Sequence, residues 1–172
     1  LRLLGNILIW RGDLTAAIAA LEESTAISDA IGNARGEVLG LNETGRAYRR
    51  NGDFEKAIAV FERALPMARA ARDRGNVSIL LGNMAVVYKQ LGAFDRAIDA
   101  LEQSLAMDRA SGDVRGLVVD LINLGNIDRE RGNYRNAALD VYGMRSSTWK
   151  MLRDVNLVCH RLAPTLTKMK SI

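Results

Sequence analysis

The chain is poor in the residues that most often build covalent or catalytic sites. Its 172 residues include one cysteine, one histidine and two prolines, and aromatic side chains make up 5% of the sequence. A single cysteine cannot form an internal disulfide, so a reducing, cytoplasmic location is the default expectation. The longest apolar runs are only a few residues, whereas a membrane span needs about 20. We therefore expect no membrane partner.

The same scarcity argues against catalysis. Cys159 and His160 are neighbours, and adjacent residues of a helix point to different sides, which makes them a poor pair of nucleophile and base. A catalytic triad or a zinc site would need further ligands that the sequence lacks. The glycine-rich segments have no P-loop lysine. We therefore predict that the chain is not an enzyme and uses no cofactor, metal or small-molecule substrate.

What the sequence does contain is a motif that returns every forty residues. A glycine is followed five residues later by an alanine and then by an apolar helix pattern. The glycines of the four copies are Gly12, Gly52, Gly92 and Gly132. Because glycine readily adopts the left-handed conformation that ends a helix, each copy is predicted to be a helix, a turn and a second helix. A period of this size indicates a solenoid, in which each unit buries its apolar face against its neighbours.

Apolar spacing places the predicted helices on both sides of these turns. The first predicted helix ends at residue 10 and the second begins at residue 14. The later ones span residues 35–51, 54–65, 77–91, 94–110, 114–131 and 134–150. Asp13, Asp53 and Asn133 stand where a helix needs an N-cap acceptor, whereas Ala93 offers none. Pro66 removes a backbone donor, so we expect a kink or an early end of the helix there.

The predicted organisation is a repeat array over residues 1–150 and a C-terminal segment over 151–172. In that segment Pro164 breaks the register of the repeats, which predicts one capping helix followed by a loose tail. The formal net charge of the chain is +4. From Arg145 onward there are six lysines and arginines against Asp154 alone. The tail is therefore basic and the array is close to neutral.

The second copy carries a family resemblance. It reads Gly45-x-x-Tyr48 on the first helix and Ala57-x-x-x-Phe61 on the second, which resembles a tetratricopeptide repeat, of a class lengthened beyond the usual ~34 residues. A small residue lets the paired helices approach, and the aromatic ring fills the remaining gap. The resemblance implies an all-α, right-handed α-α superhelix of four hairpins plus a C-terminal helix. HEAT and armadillo repeats share the period but lack this glycine turn, and they stay as an alternative.

The resemblance also implies that the first helices line a concave groove for a peptide segment of a partner protein. The residues carried over to that groove are Asn6, Trp10, Arg46, Arg49, Arg50, Asn83, Lys89, Asn123, Asn126 and Arg129. An asparagine side chain offers a donor and an acceptor to a peptide backbone, and arginines bind carboxylates with two parallel hydrogen bonds. We therefore expect a non-catalytic scaffold or adaptor that binds a protein or peptide with acidic residues.

Other interpretations stay open. The array could be the regulatory or sensor arm of a larger multidomain protein. It could also bind single-stranded nucleic acid through its basic groove residues, although the array is near neutral and Trp10 is the one clear stacking aromatic. The groove residues could be merely a solvated helix face. Asp128 stands where Tyr48 and Tyr88 supply packing, so its carboxylate is expected to reach water or to pair with Arg131 or Arg135. The oligomeric state and the partner stay undetermined.

Overall fold

A computed structural model describes residues 1–131, which form seven α-helices joined by short turns. The helices are α1 (Arg2–Arg11), α2 (Leu14–Ala30), α3 (Ala34–Asn51), α4 (Phe54–Ala70), α5 (Arg74–Gln90), α6 (Phe94–Ser111) and α7 (Val114–Glu130). No strand occurs in this part of the chain, so the all-α prediction is confirmed. The second helix predicted for the fourth repeat and the capping helix predicted within 151–172 lie outside the described residues.

The helices stack in the order of the sequence. Each first helix packs on the second helix of its own repeat, and each second helix packs on the first helix of the next repeat. In addition α1 contacts α3, α3 contacts α5 and α5 contacts α7, whereas the second helices α2, α4 and α6 share no comparable contacts. Within residues 1–131 the first helices of successive repeats therefore lie closer to one another than the second helices do. The first helices are on the side that the resemblance assigns to the groove.

Glycines produce the turns inside the hairpins. Gly12 ends α1 with a φ of 84° and Gly52 ends α3 with a φ of 87°. Each of these backbone N–H groups donates to carbonyl groups of the last helical turn, and a side chain at such a φ would be strained. After the first turn, Asp13 caps α2 by accepting a hydrogen bond of 3.1 Å from the backbone N–H of Ala16. The predicted cap at Asp13 is confirmed.

Three local predictions need correction. Asp53 accepts no hydrogen bond from the first turn of α4, because its carboxylate accepts one of 2.8 Å from the side chain of Asn51 instead. The helix does not end early at Pro66 but continues to Ala70. Pro66 removes one backbone donor and crowds the carbonyl of Glu62, but the buried residues around it, Ala64 and Ala68, keep α4 packed in the core. Finally α5 starts three residues earlier than predicted, because Asp73 caps it by accepting a hydrogen bond from the backbone of Asn76.

The repeat motif explains the close packing inside the first two hairpins. A Cβ atom built on Gly45 would lie 2.4 Å from Cε1 of Phe61, and one built on Gly5 would lie 2.5 Å from Cγ of Leu21. Real atoms do not approach so closely, so the first helix must carry glycine at these two places. Phe61 and Leu21 are both fully buried. The predicted pairing of a small residue with a large apolar one is therefore confirmed in both hairpins.

One face of α1 is apolar and is not fully covered by any helix between residues 1 and 131. Leu1, Leu4 and Ile7 are each about half exposed. The residues at the same positions of α3, α5 and α7 are buried, namely Leu41, Thr44, Ala47, Leu81, Met84, Val87, Leu121, Leu124 and Ile127. Each of those three helices has a preceding second helix to pack against, and among the described helices α1 has none.

Candidate functional site

The ten residues predicted for the groove all lie on first helices. We call the surface that carries them the inner wall. All ten are at least partly exposed, and Trp10 at the end of α1 is the most exposed of the large apolar side chains, at 86%. The side chains of all ten residues are therefore accessible to a partner.

Two of these residues, both on α5, bond to the neighbouring first helices α3 and α7. The side-chain amide of Asn83 on α5 donates a hydrogen bond of 2.8 Å to Oδ1 of Asn42 on α3. The ammonium group of Lys89 on α5 forms an ion pair of 2.9 Å with Glu130 on α7. Asn42 is buried, so the first of these bonds satisfies a polar group that water cannot reach. A ligand that used Asn83 or Lys89 would have to share these groups with the array.

Three arginines at the C-terminal end of α3 form a basic patch on the inner wall. Arg46 pairs with Glu43 at 2.8 Å, and Arg50 donates a hydrogen bond of 3.3 Å to the backbone carbonyl of Ile9 on α1. Arg49 has no ion pair with any residue between 1 and 131, and its buried Nε has no hydrogen-bond partner there. Burial lowers the pKa of Arg49, as does repulsion from Arg46 and Arg50.

The α7 part of the inner wall is polar and largely uncharged. Asn123 and Asn126 are partly exposed and lie three residues apart, hence on one side of the helix. The guanidinium group of Arg129 donates a hydrogen bond of 3.2 Å to Oδ1 of Asn126. This bond leaves the NH₂ group of Asn126 and both polar atoms of Asn123 oriented by the helix and able to contact a peptide backbone.

The inner wall also has an apolar strip that the sequence analysis missed. Ile79, Val119 and Ile122 are 52%, 51% and 59% exposed. Ile79 lies four residues before Asn83 and Ile122 lies four residues before Asn126, which places each apolar residue on the same helix side as its asparagine. The sequence did carry a signal, because positions 39, 79 and 119 are all aliphatic. Such residues are ordinarily assigned to the core.

Asp128 departs from the repeat pattern, and of the two predicted outcomes, contact with water or with a protein partner, the structure shows a partner. Its side chain is buried, and it is engaged by another group of the protein. Arg131, one of its two predicted partners, forms an ion pair of 2.9 Å with Asp95 in the first turn of α6. Its other predicted partner, Arg135, lies outside the described residues. The buried position of Asp128 places it behind the inner wall rather than on it.

Two further carboxylates are buried where α5, α6 and α7 meet. Asp120 and Asp108 are 4% and 2% exposed, and one oxygen of each has no hydrogen-bond partner in the described part of the chain. Burial raises the pKa of Asp120 to about 6, with a smaller rise from the charge of Asp108 and an opposing effect from the hydroxyl group of Ser104. Burial likewise raises the pKa of Asp108, opposed by Ser78.

Between residues 1 and 131 no group of three or more His, Cys, Asp or Glu side chains is placed to hold a metal ion. In the same part of the chain, every helix is too short or too polar to cross a membrane.

Stacked helical hairpins with a shared inner surface define an α-solenoid repeat protein. Among such proteins, the sequence profile of the tetratricopeptide repeat matches residues 1–70 and again residues 39–110. The chain therefore belongs to the tetratricopeptide repeat family. No curated protein matches its sequence.

Solved structures of the same fold come from Podosopora anserina. One is a crystal structure described as nearly identical TPR-like repeats of a candidate kinesin light chain. It has 17% sequence identity and a TM-score of 0.72, over 93% of this chain and 74% of that chain. A second crystal structure, of a variant of such repeats with one glutamine replaced by methionine, has 15% identity and a TM-score of 0.59, over 95% of this chain and 94% of that chain. At this identity the likeness establishes the fold alone.

Proposed function

We propose that the chain is a non-catalytic interaction module that binds a peptide segment of a partner protein on the inner wall. Tetratricopeptide repeats generally mediate protein–protein interaction. The observation that carries the proposal for this chain is the state of Arg49. It is a partly buried cation on the inner wall, it is repelled by Arg46 and Arg50, and no carboxylate within residues 1–131 neutralises it. A bound anion would remove this imbalance.

The chemistry of the wall supports an acidic partner. A carboxylate can accept two parallel hydrogen bonds from the guanidinium group of Arg49, which is stronger than a neutral hydrogen bond. The side chains of Asn123 and Asn126 suit the N–H and C=O groups of a peptide backbone, which every sequence offers. Ile79, Val119 and Ile122 add exposed apolar area, which favours a ligand with aliphatic or aromatic residues beside its acidic ones.

The test is selection of binding peptides from a random displayed library. Selection on the chain should enrich peptides that combine aspartate or glutamate with apolar residues. The affinity of a selected peptide should fall about tenfold for Arg49→Gln, since one charge-assisted pair is lost. The affinity of the peptide should also fall for the double variant Asn123→Ala with Asn126→Ala. The helicity and the melting temperature of this variant should equal those of the parent chain.

The matched control is Arg109→Gln, which removes an exposed arginine of the last turn of the second helix α6. Its affinity for the selected peptide should equal that of the parent chain. Selected peptides without acidic residues would contradict the assignment of Arg49. Equal affinity of the parent chain, Arg49→Gln and the asparagine double variant would contradict binding on the inner wall. A steep loss of binding between low and moderate salt, together with binding of a single-stranded oligonucleotide, would favour nucleic acid instead.

A further inference from the structure

An open cavity lies at the turn between α4 and α5, away from the inner wall. Its volume is about 340 Å³, and it is lined by Arg69, Arg72, Arg74, Val77 and Met107. The three arginines are exposed, whereas Val77 is buried and Met107 is partly buried. The cavity therefore combines three cationic side chains with two apolar ones.

The positive charge of this cavity is not neutralised within residues 1–131. None of its three arginines forms an ion pair there, and Arg69 donates to the neutral side chain of Gln103 at 3.0 Å. The neighbouring carboxylate of Asp73 is occupied as a helix cap. It accepts hydrogen bonds of 3.1 and 2.7 Å from the backbone and side chain of Asn76, and these bonds lower its pKa, with a further effect from Arg35.

The backbone of Arg72 is in a conformation that favours glycine. Its φ is 54°, and it is the one non-glycine residue with a positive φ between residues 1 and 131. Forty residues before and after it, Gly32 and Gly112 have φ values of 68° and 74°. An L-residue is strained in this region because its Cβ crowds the backbone. The chain thus carries an unfavourable residue at a place where its side chain lines the cavity.

Three described turns join a second helix to the first helix of the next repeat. Only the α4–α5 turn has arginine at all three of the positions that line the cavity. At the α2–α3 turn the equivalent residues are Asp29, Gly32 and Ala34, and at the α6–α7 turn they are Arg109, Gly112 and Val114. The same helix packing is therefore achieved without three arginines. The arginines at the α4–α5 turn need a reason other than the fold.

We propose that this cavity binds the phosphate group of a small phosphorylated ligand. Guanidinium groups match the geometry of phosphate oxygens and bind them in pairs of hydrogen bonds. Val77 and Met107 can contact the apolar body of an esterified phosphate. The site is distinct from the inner wall, because Val77 of the cavity and Ile79 of the inner wall are two residues apart on α5 and therefore point to opposite sides of the helix.

The test is titration of the full chain with phenyl phosphate and with inorganic phosphate at constant ionic strength. Binding is measured by calorimetry and by shifts of backbone amide resonances at the α4–α5 turn. Saturable binding of phenyl phosphate, tighter than that of inorganic phosphate, is the expected result and assigns the site to a phosphate ester. Equal binding of both assigns it to free phosphate. Failure of both to saturate, or shifts elsewhere only, overturns the proposal.

Variants separate binding from folding. Arg72→Gly installs the residue of the equivalent turns, so it should keep or raise the melting temperature while weakening phenyl phosphate binding about tenfold. Arg74→Ala should weaken binding to a similar degree. The matched control is Arg115→Ala, an exposed arginine of the first turn of α7, whose affinity should stay within about twofold of the parent chain. Unchanged affinity of Arg72→Gly and Arg74→Ala, or an equal loss in Arg115→Ala, overturns the assignment.

Discussion

The guanidinium group of Arg96 on α6 lies over the ring of Tyr88 on α5, with its Cζ 4.3 Å from the ring centroid. It also donates a hydrogen bond of 2.9 Å to the phenolic oxygen, while the phenol donates one of 3.3 Å to Glu62 on α4. The tyrosine of the repeat motif therefore fills space and, in addition, joins three helices through its hydroxyl group. At the same place in the next repeat, Asp128 offers a carboxylate in place of the phenol ring.

The first prediction concerns this tyrosine. Tyr88→Phe keeps the buried ring and removes the hydroxyl group, so it should cost about 0.5–1.5 kcal/mol of unfolding free energy. Tyr88→Asp introduces the residue type of the next repeat and buries a carboxylate beside that of Glu62. It should therefore cost about 3 kcal/mol or more of unfolding free energy. Chemical denaturation of both variants measures these changes. Equal stability of the two variants would show that the ring contributes nothing beyond its hydroxyl.

The second prediction concerns the asparagine pair between α3 and α5. Removal of Asn83 leaves the buried amide of Asn42 without its partner, so Asn83→Ala should lower the unfolding free energy by about 1–3 kcal/mol. The double variant with Asn42→Ala should be less destabilised than the sum of the two single variants. The matched control is Asn123→Ala, forty residues on, where no hydrogen bond to another residue between 1 and 131 is lost. A destabilised control would show a general effect of alanine at this position.

The third prediction concerns the close approach of α3 and α4. Gly45→Ala places a methyl group 2.4 Å from Cε1 of Phe61, so the hairpin must open or the ring must move, at a cost of about 1–3 kcal/mol. Adding Phe61→Leu should recover part of this loss. Gly75→Ala is the control, because its Cβ meets no atom closer than 3.7 Å, and the gain in helix propensity should stabilise the chain by up to about 1 kcal/mol. Thermal melting compares the three variants.

The fourth prediction concerns pH and the buried Asp120. The pKa of its carboxyl group is about 6 in the folded chain, whereas an unfolded aspartate titrates near about 3.9. Below that value both states are protonated, and this contribution to stability is fully present. As the pH rises the unfolded chain ionises first, so the contribution is lost progressively up to and through pH 6. Burial raises the pKa of Asp120, and the charge of Asp108 acts in the same direction. The pKa of Asp108 is itself raised by burial, so its contribution to stability has the same sign.

The measurement is the melting temperature between pH 4 and pH 7. Relative to Asp120→Asn, the parent chain should lose a few degrees over this range. Asp120→Leu carries the residue type found at position 80 and should behave like the asparagine variant. The control is Asp99→Asn, which changes an exposed carboxylate of α6. Its melting temperature should change with pH in the same way as that of the parent chain. Parallel curves for the parent chain and Asp120→Asn would contradict the buried-charge account.

The repeat architecture was predictable because its determinants are local. A glycine that ends α1 or α3 and the pairing of Gly45 with Phe61 follow from residue size and backbone freedom alone. The cap at Asp53 was predicted wrongly, because a second polar side chain, Asn51, competes for the same carboxylate. Of the two outcomes predicted at Pro66, a kink or an early end, the early end does not occur, because tertiary packing holds a helix together after one missing hydrogen bond.

The candidate site was predictable only in part. The helical period sufficed to place polar residues on first helices. It could not show that Asn83 bonds Asn42 across a separation of 41 residues, since such a contact depends on the distance between two helices. The helical period also could not show that Ile79 lies on the surface rather than in the core. The exposure of an aliphatic residue depends on which part of its helix the neighbouring repeats cover. Whether the ten residues bind a ligand stays a prediction.

The first helices of the array depend on their neighbours for burial. Leu41, Thr44 and Ala47 of α3, which packs on α2, are buried, whereas Leu1, Leu4 and Ile7 at the same positions of the first repeat are about half exposed. Folding of one hairpin therefore completes the core of the next, so neighbouring hairpins should fold cooperatively.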